Sequence, residues 1–416
     1  MSDDSLGQET TRPSSSARLT LLVLGGSAVG LIGCHAGIGL LGVIKASPVA
    51  FVTLYLLASS LFLLSAWWVL RVDGAAGDRL TGLTFILLVG VAMRLLVFAG
   101  EPSDDIWRYL WEGTVQRDGV NPFAVPPDAP SQAEAAEEAE YHGWINHPSW
   151  SGVYPPVNSL INRVVALDRV EDPYLAATVY KGIVLFAEAL LVLVLLALIR
   201  RERLPRSRIL IYVWCPLPVY AFALEGHNDI FSILPLMAAF LWLPVASSRG
   251  GWVAAALWTV ALMAKPFVAA TWPALKMRTR WVVWCVVPLL GLLLVLPYIS
   301  AGEGLFESFV RFGGTKSHND SLHAILEALS SGAGLDPQGD AWVSRVAAGA
   351  CGILFWVVLA CYGRRDPLVW GLGLSGMLLV ALPTVHPWYL TLIVPFLVLR
   401  PSWGWLGMTG TILIPY

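Results

Sequence analysis

Charge is scarce in this sequence. Only 13% of its 416 residues are Asp, Glu, Lys or Arg and 56% are hydrophobic, against about 25% and about 45–50% in soluble domains. A chain of this length ordinarily divides into about two or three soluble domains, and this composition excludes them, along with soluble Rossmann, barrel and sandwich enzymes. Neither sign of charge dominates. The 27 Lys and Arg face 29 Asp and Glu, a net charge of -2, which offers no basic field for nucleic acid. Cysteine is equally sparse: Cys34, Cys215, Cys285, Cys351 and Cys361 sit within or at the ends of apolar runs, with no CxxC and no histidine at metal-ligand spacing, and read as small core residues. No duplication of motifs or segment lengths is visible, which weakens an inverted-repeat transporter.

Long hydrophobic runs, in contrast, are abundant. Crossing about 30 Å of hydrocarbon takes roughly 20 apolar residues, and such runs fall near 19–44, 48–70, 80–99, 173–199, 209–224, 229–246, 281–299, 341–362, 368–384 and 387–400. The stretch 251–275 is broken in its middle by Lys265-Pro266, where proline removes a helix hydrogen bond, and reads as a hairpin of two short helices. The apolar tail 403–416 reads as a last, partial span. Spans in lipid are helical because an open sheet edge cannot be satisfied there. The expectation is an all-α integral membrane protein, a polytopic bundle of about 11 to 13 transmembrane helices with a layer of helices in its extracytoplasmic loops. Residues 1–17 are polar and are expected to be a disordered cytoplasmic tail, with 18–416 one polytopic membrane domain.

Orientation follows the short loops that carry Lys and Arg. Arg12 and Arg18, Arg71 and Arg79, the cluster Arg200 to Arg208, Arg249, Lys276 with Arg278 and Arg280, Arg364-Arg365 and Arg400 fall on alternate loops, which are assigned to the cytoplasm of a cell (inner) membrane protein. The loops 100–172, 225–228 and 300–340, and the turn at His386, then face the extracytoplasmic side. Loops as long as 100–172 and 300–340 are usually functional. Within the first, Ser131 to Tyr141 is acidic and alanine-rich and reads as a solvated surface helix.

The strongest local pattern is residues 101–123, EPSDDIWRYLWEGTVQRDGVNPF. Ser103 is a suitable N-cap, so Asp104 and Asp105 fall in a first helical turn, where carboxylates are favoured. Arg108, Tyr109 and Glu112 follow at helical spacing on the same side, while Trp107 and Trp111 suit an amphipathic helix lying on the outer leaflet. Two adjacent carboxylates outside a membrane have a chemical use: one accepts a proton from an acceptor hydroxyl while the other binds the acceptor or sets its neighbour's proton affinity. The plain alternative is an acidic helix start, and a third is a site for Mg or Mn held by Asp104 and Asp105.

Further polar groups gather on the same side. Asn146-His147 and Tyr154-Pro155-Pro156 punctuate the end of the first large loop. Glu225-Gly226-His227-Asn228-Asp229 is denser in hydrogen-bonding side chains than a connecting turn requires. Arg311, Lys316, His318, Asn319, Asp320 and His323 share one loop, where an anionic ligand would suit them, and His386-Pro387-Trp388-Tyr389 opens a later span. Ionisable groups inside spans are costly and therefore functional candidates. Lys181 and Glu188, seven residues apart, read as a mutually neutralising pair; Arg94 reads as snorkelling; Lys265 has no partner in its own helix and would be satisfied by a phosphate.

Taken together, DDIWRYLWEG, GVNPF, YPP, EGHND, the Lys-Pro break and HPWY resemble the GT-C glycosyltransferases of bacteria, in particular the polyprenyl-phosphate-mannose-dependent mannosyltransferases, over about residues 80–400. The resemblance implies transfer of a sugar, with mannose the usual one, from a polyprenyl-phosphate donor to a glycolipid or glycan acceptor at the outer face of the membrane lipids. It implies Asp104 as the catalytic base, Asp105 as its acidic neighbour and inversion at the anomeric carbon. Candidate groups around the substrates are Arg108, Tyr109, Glu112, His227, Asn228, Asp229, Lys265, Arg311, Lys316, His318 and His386, the cations among them stabilising the leaving phosphate. The competing reading is a secondary transporter or flippase of a lipid-linked or anionic substrate, motivated by Lys181, Glu188 and Lys265.

Overall fold

The computed structural model describes residues 15–72, 80–166, 172–243, 248–315, 318–319, 321–332, 346–354, 356–357 and 366–415. Among these the architecture is all-α, and a lone parallel bridge between His318 and Thr384 is the strand-like pairing recorded. The expected span 341–362, most of the N-terminal tail, Lys316, Asp320, Arg79 and Arg364-Arg365 lie largely or wholly outside the described residues.

Apolar composition makes the helices, and proline sets where they begin and break. The chain opens with α1 (Ser15–Leu40), α2 (Pro48–Arg71) and α3 (Leu80–Phe98). Pro48 stands at the start of α2, where its missing N–H has no partner to lose. Helices over Leu19–Leu41, Pro48–Arg71, Pro173–Arg201 and Trp281–Ala301 are long and apolar enough to cross a membrane. The run 209–224 is a broken element: Arg206–Val213 and Pro216–Leu224 meet at 50° across Cys215-Pro216. Shorter apolar helices follow at Gly82–Phe98, Ile230–Leu241, Pro367–Ala381 and Pro387–Leu399. An all-helical chain with this many apolar helices is a polytopic membrane protein.

The first large loop folds into helices of its own: α4 (Asp105–Arg117), α5 (Ala133–Glu138) and α6 (Pro156–Val165), before α7 (Pro173–Arg201) returns to the bundle. Helix α4 does not lie as an open amphipathic helix, because ten of its 13 residues are buried. Trp107 packs against Tyr141, Trp144 and Tyr174 instead of facing outward. Helix α6 crosses it at Gly113, where any Cβ would strike the Asn162 carbonyl. The acidic segment carries α5 on the surface as expected, with Glu134, Glu137 and Glu138 exposed. Beyond α7 come α8 (Ile230–Leu241), α9 (Ser248–Leu262) and α10 (Pro367–Ala381). Helix α9 ends before Lys265-Pro266, and Pro266 opens a 3-10 turn, Pro266–Thr271, leading into the short helix Trp272–Lys276.

The charges inside the bundle are partnered differently from the sequence expectation. Two helical turns separate Lys181 from Glu188, a rise of about 10 Å, too far for the two side chains to meet. Glu188 instead takes a bidentate pair from Arg94 at 2.6 and 2.7 Å, and Arg94 also donates to the Gly90 and Val213 carbonyls at 2.9 Å. Arg94 is therefore buried and paired and does not snorkel. Lys181 donates to the Phe98 and Gly100 carbonyls at the end of α3. At the end of the bundle that carries the arginine-rich loops, Arg400 bridges Asp366 and Glu202, both at 2.7 Å.

Glu188→Ala leaves a buried guanidinium without its carboxylate and is expected to cost about 3–5 kcal/mol of stability. Thermal unfolding in detergent micelles measures it. The double variant Arg94→Leu/Glu188→Leu should recover most of the loss, and an equal loss in the double variant would remove the ion pair as the cause.

Candidate active site

The loop leading into α4 is held at three points. Lys181 seats the end of α3, the Ser103 N–H donates to the Glu225 carbonyl at 3.0 Å, and Ser103 Oγ accepts from the Asp105 N–H at 3.3 Å. The second contact ties the acidic pair to the turn 225–229. That turn needs its glycine: Gly226 sits at φ +75°, and a Cβ there would meet Ile106 and Lys181.

The two carboxylates are unlike. Asp104 is exposed, with Ser103 Oγ 3.4 Å away. Asp105 is sunk among donors: Asn146 Nδ2 reaches Oδ1 at 2.7 Å, while Oδ2 accepts from Tyr154 at 3.1 Å and from Tyr109 at 3.4 Å. His227 Nδ1 stands 3.6 Å from the same oxygen. Burial works to raise the Asp105 pKa; His227, the Asn146 hydrogen bond, Lys265 and Tyr154 together outweigh it and hold the carboxyl below its ordinary value. Burial and Asp105 itself push the Tyr109 and Tyr154 phenols well up, so both remain hydrogen-bond donors.

A cationic and aromatic wall stands beside Asp105, built from segments far apart in sequence. His227 is fully buried and stacks on Trp388 at 3.8 Å between centroids, and Trp388 stacks in turn on His386 at 4.5 Å. His318 follows at 5.7 Å from His386. Burial, the largest cause, takes the His386 pKa down to about 4 against the pull of Asp105. Lys265 pairs with Asp229 at 2.8 Å and lies 5.1 Å from the Tyr389 ring and 5.6 Å from Tyr154. Lys265, without a partner in its own helix, is satisfied by Asp229 of the neighbouring turn, onto which the break in 251–275 directs it. Asn228 is wholly buried, and its side chain makes no hydrogen bond among the described residues. Buried amides are ordinarily hydrogen-bonded, so Asn228 has donor and acceptor capacity that these residues do not use.

Other predicted residues stand outside this convergence. Arg108 is 2% exposed and spends its nitrogens on the loop 146–150. Arg311 lies over the Trp150 ring at 4.9 Å, on the far side of that loop. Glu112 is buried beneath Arg108, 3.7 Å from it, with both carboxyl oxygens lacking a hydrogen bond. Desolvation raises its pKa to about 7; Arg108 opposes the rise but loses because its N–H groups are committed elsewhere. Asn146, Tyr154, Trp388 and Tyr389 were quoted within sequence motifs but not singled out as site residues. Their signals, NH, YPP and HPWY, carry no chemistry until the fold brings them to Asp105.

Asp105 is met by N–H and O–H donors and not by further carboxylates, a set that suits a fixed anion better than a divalent cation. Among the described residues no group of three or more His, Cys, Asp or Glu side chains is arranged to hold a metal. A cavity of about 510 Å³ lined by Leu110, Trp111, Thr114 and Asp118 opens on the opposite face of α4. The candidate site is therefore marked by its convergent polar groups and not by this cavity.

The polytopic helical bundle thus gathers a carboxylate, two histidines and a lysine in one place. Residues 16–283, well over half of the chain, match the MptA_B family, alpha-(1->6)-mannopyranosyltransferase, N-terminal domain, and the chain belongs to that mannosyltransferase family. No curated protein matches the chain significantly. No solved structure does either.

Glu112 gives a pH signature. Its folded pKa of about 7 lies above the ordinary 4.5, so the folded state keeps a proton that the unfolded chain has released, and stability falls as pH rises through that window. Glu112→Gln removes the dependence and should gain on the wild type by on the order of 3 kcal/mol from pH 4.5 to 7. Melting midpoints of the two proteins across that range test this, and a constant difference refutes it.

Proposed function

We propose that the protein moves a mannosyl residue from a polyprenyl-phosphate carrier to a glycolipid or glycan acceptor, with inversion, at the extracytoplasmic face of the cell membrane. Its family supports the sugar and an α-(1→6) linkage. The positive-inside distribution supports the side, with the N-terminus in the cytoplasm. One observation carries the reading: Asp105, His227, Lys265 and His386 come from four distant stretches of sequence to one place.

In this reading Asp104 is the base. The oxygens of Asp105 already accept from Asn146, Tyr154 and Tyr109, so few of its lone pairs remain for an acceptor hydroxyl, whereas Asp104 is open. The acceptor O–H bond breaks as its proton passes to Asp104, the oxygen bonds to the anomeric carbon, and the bond from that carbon to the lipid phosphate oxygen breaks with its electron pair. Charge then grows on the phosphate. Lys265, His227 and His386 line the wall that would face it, and the unpartnered Asn228 amide would donate to the donor or its sugar. Divalent Mg or Mn at the acidic pair is not required by this scheme.

The charges that motivate the transporter reading have partners within the protein: Glu188 pairs with Arg94, Lys181 donates to helix-end carbonyls and Lys265 pairs with Asp229. The test is transfer of labelled mannose from polyprenyl-phosphate-mannose to membrane glycolipids by purified protein. Asp104→Asn is expected to lose about 10²–10⁴-fold in rate with its melting midpoint unchanged, and Lys265→Ala about 10²–10³-fold. Full activity in Asp104→Asn, with loss in Asp105→Asn, would move the base to Asp105. Vesicle flux without covalent transfer would return the transporter.

A further inference from the structure

Arg108 and Asn146 occupy a position the reaction scheme does not use. Arg108 Nε donates to Asn146 Oδ1 at 3.2 Å, and Asn146 Nδ2 donates to Asp105 Oδ1 at 2.7 Å. Chemistry fixes the sense of this chain. A guanidinium has no acceptor and a carboxylate has no donor, so only one orientation of the intervening amide satisfies both. Aspartate at that position would set two carboxylates face to face, and leucine of similar size would leave Asp105 Oδ1 and Arg108 Nε without this partner.

The loop carrying Asn146 is held with unusual force for so exposed a segment. The remaining Arg108 donors go to the carbonyls of Asn146, His147 and Trp150. His147 sits at φ 47°, a left-handed conformation that side chains other than glycine rarely adopt, with its ring stacked on Trp150 at 4.7 Å. A strained residue of this kind costs about 1–3 kcal/mol and persists where its surroundings over-determine it. Here the buried guanidinium acts together with the Trp150 ring and with the Trp150 and Asp128 N–H groups, which donate to the His147 and Pro148 carbonyls, and the loop so held presents the Asn146 amide to Asp105.

We propose that Arg108 and Asn146 are positioning residues that fix the Asp105 carboxylate for mannosyl transfer, Arg108 acting through Asn146 and not through the donor phosphate. The proposal rests on the glycosyltransferase reading of the acidic pair. Asp105 is faced by Tyr109 and Glu112 from its own helix, by Tyr154 and Asn146 from the loop, by His227 from the turn, by Lys265 and by His386. Asn146 is the neutral member of that set whose donor is aimed at Oδ1. Replacing it therefore changes the ionisation of Asp105 without adding or removing a charge.

The test uses full-length protein in the labelled-mannose assay, with rates taken across pH for Asn146→Leu, Asn146→Asp, Arg108→Lys and Asp105→Asn. Asn146→Leu is expected to lose about 10²-fold in kcat, and the acid limb of its profile moves to higher pH because Asp105 has lost a donor. Asn146→Asp is equally slow at neutral pH and recovers towards acid pH, where a proton shared by the two carboxyls rebuilds the hydrogen bond. Arg108→Lys lowers kcat and leaves the donor KM unchanged; a raised donor KM with unchanged kcat would assign Arg108 to the phosphate and overturn the proposal. A wild-type rate and pH profile in Asn146→Leu overturns it as well. Asp105→Asn separates the layers: full activity in that variant overturns the positioning proposal while mannosyl transfer stands, whereas absence of transfer by the wild-type protein fails the glycosyltransferase reading on which the proposal rests.

Discussion

A charge inside a membrane bundle must find its counter-group within the protein, and this constraint organises the structure. Arg94 and Glu188 bring α3 and α7 together, and Arg94 reaches on to the backbone of the broken element at Val213. Lys181 closes the end of α3 just ahead of the acidic pair. Lys265 and Asp229 join the proline break to the 225–229 turn. Each pairing crosses between segments distant in sequence, so the cost of burying charge becomes a specification of which segments meet. Of these cross-links, Lys265 with Asp229 and the seat that Lys181 gives to the end of α3 border the candidate site.

At that site the two acidic residues of one helical start are different chemical objects. Asp105 faces inward and is fixed, kept ionised by the donors around it. Asp104, one residue earlier, is exposed. A hundred degrees of helix rotation per residue is sufficient to separate a buried, hydrogen-bonded carboxylate from an exposed one.

The class of fold was legible because apolar length is a strong signal, and the breaks at Cys215-Pro216 and Lys265-Pro266 were partly legible because proline acts locally. The motif around Asp104 and Asp105, the turn 225–229 and His386 were legible as polar density beside spans. Partners were not. Lys181 with Glu188 satisfied helical periodicity, but the nearer oxygen belonged to a different helix, and no one-dimensional pattern places Arg94 at Glu188. Arg108 resembled a substrate cation because its sequence neighbours are acidic, whereas the carbonyls it binds lie some forty residues further on. Asn146 carried no signal of its own, since an asparagine before a histidine and proline reads as an ordinary turn.

The bridge at His318 has a consequence for how such a chain can change. The His318 N–H donates to the Pro383 carbonyl, and the Val385 N–H returns to the His318 carbonyl, so two points more than sixty residues apart are stitched together next to His386. The chain between them leaves the site and re-enters it at one place. Closing such an excursion costs free energy that grows only with the logarithm of its length. Within that excursion Asp366 and α10 stay tied to the bundle, through Arg400 and through Leu368, Trp370 and Leu374 in the core, so the stitch at His318 couples the position of the histidine stack to the seating of that helix.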